Sequence, residues 1–209
     1  YGSFGFNATL NKAGHSFASG LCTVCGEEDP DYLLTIAYNA NGGTGAPASQ
    51  AKISGTILTL SDVRPTRFGY NFIGWAASSS ATTAVYQPGG KFTTDANTTL
   101  YAVWSAAETI STTTETIEMP QSKYGKVGYY YKFTPTVSTS YRLNLLDSDE
   151  EGVVSITLYD SDKNVLAQIT GTDTEAFSEF DCTLEYAATS DKTYYLYLEF
   201  TDTDNAYVY

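Results

Sequence analysis

Between Tyr38 and Trp104 three blocks follow one another as turn, turn-plus-strand and closing strand: YNANGG, RPTRFGYNFIGW and TLYAVW. Asn41, Gly42 and Gly43 tolerate positive φ. They separate one apolar run (Leu33, Leu34, Ile36, Tyr38) from another (Ile53, Ile57, Leu58, Leu60), as tight β connections require. Pro65 and Gly69 bracket a second turn. After it, strict alternation puts Tyr70 and Phe72 on one face of a strand and Ile73 and Trp75 on the other. The closing block repeats the pattern, with Leu100, Ala102 and Trp104 opposite Tyr101 and Val103. No helical period runs through this stretch, so it is predicted to fold as sheet.

The order NANGGT (Asn39 to Thr44), PTRFGYNFIGW (Pro65 to Trp75) and LYAVW (Leu100 to Trp104) resembles the internalin B-repeat, or Listeria–Bacteroides repeat, family. The resemblance implies a small β-grasp module over residues 32–104, of the kind that serves as spacer or adhesive unit in long extracellular bacterial proteins. It implies neither an enzyme active site nor a defined ligand.

A chain of 209 residues needs more than this one module. The 18 Tyr and 10 Phe, against one Met, favour strands throughout. Charge marks the boundary: residues 1–105 hold 6 acids and 5 bases, whereas residues 106–209 hold 18 acids and 6 bases. With a net charge of −13 and no basic stripe, the chain is not expected to bind nucleic acid or anionic membrane surfaces. No apolar run is long enough to span a bilayer, and neither a secretory leader nor a sorting motif is visible. The expectation is a processed protein or a piece of a larger multidomain chain, secreted or displayed on the cell wall. Three cysteines cannot all pair with one another, which leaves an odd thiol or a metal site.

Residues 1–31 form a leader in which His15, Cys22 and Cys25 have the spacing H-x6-C-x2-C. Two thiolates so placed can turn around one zinc ion, the glycine after Cys25 permits a tight knuckle, and His15 supplies a third ligand. The stretch resembles short HxFxxGxCTxCG elements of bacterial surface proteins, although Lys12-Ala13-Gly14 stands where those carry a further Cys. A Cys22–Cys25 disulfide, or two reduced thiols, is the alternative. If zinc binds, its role is structural, because so short a segment cannot bury a core of its own.

Residues 105–120 are Thr-rich and read as a linker or a first edge strand. From residue 121 to 209 strands recur every ten to fifteen residues with Gly, Asp and Ser between them, which predicts an acidic antiparallel β-sandwich of jelly-roll type. Ile156/Leu158 and Val165/Ala167 flank a hairpin turn. This half is similar to the bacterial pre-peptidase C-terminal type of sandwich in YYYKFTP, SYRLNL, ITLYDSDKNVLA and TYYLYLEF, with Thr139-Ser140 replacing that family's usual glycine. The similarity implies an accessory, non-catalytic appendage.

Asp160, Asp162 and Asn164 alternate oxygen ligands as a calcium loop does, but without the glycine and late glutamate of an EF-hand. A solvated turn is the alternative. The one histidine lies in the leader, so a Ser-His-Asp or Cys-His scheme finds no imidazole elsewhere, and no enzyme is expected. Trp75 and Trp104 end predicted strands and are expected in the core or at its edge. Glycan binding needs exposed aromatic platforms, for which Tyr129, Tyr130, Tyr131, Tyr194, Tyr195 and Tyr197 are the candidates. Neighbouring tyrosines on a strand face opposite sides, so at least one of each cluster is predicted to be exposed. The expected activity is adhesion or recognition, of a glycan or a host or cell-surface protein, with a plain spacer or stalk as the alternative.

Overall fold

The fold is that of a computed structural model, whose described residues are 17–18, 21–22, 25–26, 29, 32–112, 127–145, 152–172 and 182–202. Among them every regular element is a strand. In the leader, β1 (Phe17–Ala18) and β2 (Leu21–Cys22) form a minimal antiparallel pair.

The first module contains β3 (Leu33–Asn39), β4 (Gln50–Ile53), β5 (Leu58–Thr59), β6 (Tyr70–Ala76), β7 (Lys91–Phe92) and β8 (Thr98–Ala106). Its main sheet has the order β4-β3-β8-β6, with the first and last long strands parallel at the centre and antiparallel partners outside them. That is the strand order of a β-grasp. β5 and β7 form a small second sheet over it. Ile36, Leu60, Trp75, Phe92, Leu100 and Ala102 are buried between them. Asn41 adopts a φ of 48° in the turn after β3, and its side-chain amide donates to Ala102 O and Ser79 O, each at 2.9 Å. The YNANGG turn is thereby tied to the closing strand.

The alternation predicted for β6 fails at one residue. Phe72 pairs with Trp104 and Gly74 with Val103, so Ile73 is a bulge. Phe72 and Trp75 consequently lie on the same side, ring centroids 5.0 Å apart, while Ile73 points to solvent. Gly74 makes the bulge possible. Its φ is +133°, and a Cβ there would stand 2.6 Å from Tyr86 O and 2.7 Å from Ala84 Cβ. The backbone of Trp75 uses its outer edge to pair with Tyr86.

The chain passes from the first module's sheet to the second's within a few residues of Trp104. β8 runs to Ala106, and β9 (Glu108–Thr109) then joins the second module's sheet in parallel with β10 (Val127–Phe133). The remaining strands are β11 (Thr139–Leu145), β12 (Gly152–Asp160), β13 (Val165–Thr172), β14 (Cys182–Ala188) and β15 (Tyr194–Asp202). One sheet has the order β13-β12-β15-β10-β9, and the antiparallel pair β11-β14 covers its inner face. Tyr131, Phe133, Ile156, Leu158, Leu184, Tyr194, Leu196 and Leu198 fill the space between the layers. The chain is therefore mainly β, with a two-sheet sandwich as its second half.

Candidate functional site

The outer face of the five-stranded sheet is where the first module docks. Even-numbered residues of β10 and odd-numbered residues of β12 and β15 share that face, which places Tyr130, Tyr159, Tyr195 and Tyr197 together. Phe68, at the turn before β6, inserts its ring among them, with centroids 5.4 Å from Tyr130, 5.4 Å from Tyr159 and 4.9 Å from Tyr195. The Lys163 ammonium lies 5.5 Å from the same ring. Asn71 completes the junction through its side-chain amide. Tyr130 N–H donates to Asn71 Oδ1 at 2.6 Å, and Asn71 Nδ2 donates to Tyr130 O at 3.0 Å.

Beside this junction opens a cleft of about 380 Å³. The first module contributes Asp62, Arg64, Arg67, Tyr70 and Trp104, and the second contributes Tyr129, Tyr130, Tyr197 and Glu199. Arg67 stacks its guanidinium 3.8 Å above the Tyr70 ring. Trp104 is held at the core edge because its indole N–H donates to Ala40 O at 3.0 Å. Gly128 lies beneath Tyr197, where a Cβ would stand 1.9 Å from the phenol oxygen, so no other residue lets that ring lie against the strand.

Three phenols of the cleft hold their protons more tightly than a free tyrosine. Burial pushes Tyr130 up to about 12, with the nearby Tyr159 and Glu199 adding to the rise. Burial raises Tyr197 further still, and the Glu199 carboxylate reinforces it. Tyr129 is raised by burial, opposed by the Arg64 guanidinium.

The six tyrosines predicted as platforms thus divide. Tyr131 and Tyr194 are 4% exposed and sit in the sandwich core, where they offer no face to a ligand. Tyr195 is half-buried against Phe68. Tyr129, Tyr130 and Tyr197 line the cleft, all three half-buried. The expectation of an exposed phenol in each cluster is not met: the outward-facing Tyr130, Tyr195 and Tyr197 are half-buried, with Phe68 of the first module among them. Sequence reasoning missed Arg64, Arg67, Tyr70, Asp62 and Glu199. One signal was available, since two of the chain's three arginines stand three residues apart in the RPTR turn of a mostly acidic protein.

Of the metal candidates, His15 lies outside the described residues. Cys22 is buried and Cys25 exposed. Gly26, with φ +77°, donates its N–H to Cys22 O at 3.0 Å, closing a turn around the C-x2-C pair. Among the described residues no three His, Cys, Asp or Glu side chains gather as a metal would need. At the β12–β13 hairpin, Asp160 Oδ1 accepts from Asp162 N at 2.9 Å and Asn164 N at 2.8 Å, and Oδ2 accepts from Asn164 Nδ2 at 2.8 Å. These bonds, the Asn164 side chain foremost, hold the Asp160 carboxyl below the usual carboxylate range. Both Asp160 oxygens, part of the set proposed for calcium, thus accept bonds that close the turn.

The β-grasp module is also similar to a known family. Residues 34–103 match the Listeria-Bacteroides repeat domain. The match begins inside β3 and ends inside β8, so it covers the repeat module whose rim carries Arg64, Arg67 and Tyr70. No match to this chain was found among curated proteins or among solved structures. Among the described residues no helix is long and apolar enough to cross a membrane.

Proposed function

We propose that this chain is a non-enzymatic recognition segment of an extracellular bacterial surface protein, acting in adhesion with a glycan as its partner class. The repeat match supports a surface location, since modules of that kind build such proteins. The observation that carries recognition is the ligand-sized cleft at the junction, which draws side chains from both modules. A spacer has no need of one. In this reading the second module is an accessory sandwich of the pre-peptidase C-terminal type, and the protein makes no covalent change to what it binds. A rigid stalk is the second reading, favoured by the double hydrogen bond between Asn71 and Tyr130.

A glycan array probed with the full chain separates the two. Reproducible retention on any glycan supports recognition, and a blank array leaves the stalk. The leader would be stabilised by structural zinc on Cys22, Cys25 and His15. Metal analysis is expected to find close to one zinc per chain, and its absence after zinc-supplemented preparation removes that part of the reading.

A further inference from the structure

The cleft's own chemistry narrows the ligand. Its charged lining consists of two guanidinium groups, Arg64 and Arg67, and two carboxylates, Asp62 and Glu199. Guanidinium groups only donate hydrogen bonds and carboxylates only accept them, whereas each sugar hydroxyl does both. A concavity that carries both donors and acceptors suits adjacent hydroxyls on one pyranose ring. The rings of Tyr70, Trp104 and Tyr197 supply apolar surface for the sugar's C–H groups.

Net charge decides between neutral and acidic glycans. The four charged groups cancel, and the chain around them carries −13. A polyanion approaching it meets repulsion at long range with no local surplus of cations to offset it. A protein partner of standard size buries roughly 800 Å² on each side, and a recess of about 380 Å³ suits a short, narrow ligand better.

Both walls are fixed before any ligand arrives, one through Phe68 in its tyrosine cluster and the other through Asn71 on Tyr130. Preorganised walls spare the ordering cost that weakens binding by loose loops. Neither module alone has more than one wall.

We propose that the inter-module cleft is the binding site and that it takes a neutral glycan, recognised by Arg64 and Arg67 from the repeat module and by Tyr197 and Glu199 from the sandwich. This rests on the recognition reading above.

The test is affinity electrophoresis of the full 209-residue chain in gels containing neutral polysaccharides (mannan, xylan, mixed-linkage glucan) or polyuronates (pectate, alginate). Retardation is expected in at least one neutral gel and is expected to persist at raised salt, because a neutral ligand offers no charge for salt to screen. Arg67→Ala and Glu199→Gln each weaken it at least tenfold. Arg67→Lys, which keeps the charge and loses the planar fork, weakens it too and guards against a folding defect in Arg67→Ala. Arg142→Ala, on the opposite sheet, leaves it unchanged. Undiminished retardation in the Arg67 and Glu199 variants overturns the site while recognition stands. Retardation confined to polyuronates and abolished by salt overturns the ligand class. No retardation in any gel, together with a blank array, overturns both the site and the recognition reading.

Discussion

Asn71 and Tyr130, 59 positions apart in sequence, are joined by two hydrogen bonds, N–H to Oδ1 at 2.6 Å and Nδ2–H to the carbonyl at 3.0 Å. A side-chain amide has the donor and acceptor of a peptide unit, and here it acts at the edge of β10 as a neighbouring strand would. Asn71→Ala leaves both backbone groups of Tyr130 without this partner at a half-buried site, a loss of about 1–3 kcal/mol. Asn71→Asp keeps the acceptor but sets a carboxylate oxygen against the Tyr130 carbonyl, and is expected to be the worse variant at neutral pH. Denaturant unfolding of the full chain reads both. Midpoints equal to wild type would show that the junction contributes nothing.

Phe68 makes the apolar half of the same junction. Phe68→Ala is expected to cost about 1–2 kcal/mol, part of the transfer free energy of a fully buried ring because Phe68 is half-buried. Scattering should then show a more extended chain, as the modules part while each stays folded. A variant with wild-type dimensions contradicts this.

Alkali should loosen the junction before it unfolds either core. Tyr130 stays neutral up to about 12, and Tyr197 is raised as well, whereas an unfolded tyrosine ionises near pH 10. The unfolded chain thus loses these protons first. The stabilisation is whole below pH 10 and fades as pH climbs through 10 to 12. Melts across that window should fall more steeply for wild type than for the Tyr130→Phe, Tyr197→Phe pair; parallel curves would assign the alkaline loss to other groups.

At the acid end the sign reverses. Lys52 is buried, and its ammonium hydrogen-bonds the Asp95 carboxylate, which also accepts from Gly55 N–H at 2.9 Å. These contacts, the Lys52 bond first, hold Asp95 below the usual carboxylate range. Their contribution is present above about pH 4 and is lost as pH falls through the lowered folded value. Asp95→Asn should lower the melting temperature at pH 7 and narrow the gap to wild type as pH drops. A gap that is constant with pH would place the effect elsewhere.

Gly74 tests the bulge. With φ at +133° and the Tyr86 carbonyl 2.6 Å from where a Cβ would be, Gly74→Ala should cost roughly 2 kcal/mol or more. The expected signature is a shift of the Trp75 environment in near-ultraviolet circular dichroism, since the buried indole depends on the register the bulge sets. An unchanged spectrum with unchanged stability would argue against it.

How much of this was legible beforehand varies by residue. The hairpin between Ile156/Leu158 and Val165/Ala167 stood out because period and turn chemistry are local, and it forms as β12 and β13. Trp75 and Trp104 could be placed at the core or its edge for the same reason. The bulge at Ile73 could not be read, because an extra residue is defined only against the partner strand, here Trp104 and Val103. Nor could the cleft be read, since Arg67 and Glu199 are brought near each other only by docking of one module on the other.

Alternation and turn residues by themselves determined that the described residues fold as sheet. They determined as well that each tyrosine cluster puts rings on both sides of its strand. Which side would be open was decided only by tertiary structure. A strand's two faces are chemically alike until something packs on them; the β11–β14 pair covers one face of the large sheet and Phe68 docks on the other. The cleft at their margin, with Tyr130 and Tyr197 in its wall, is a product of that docking.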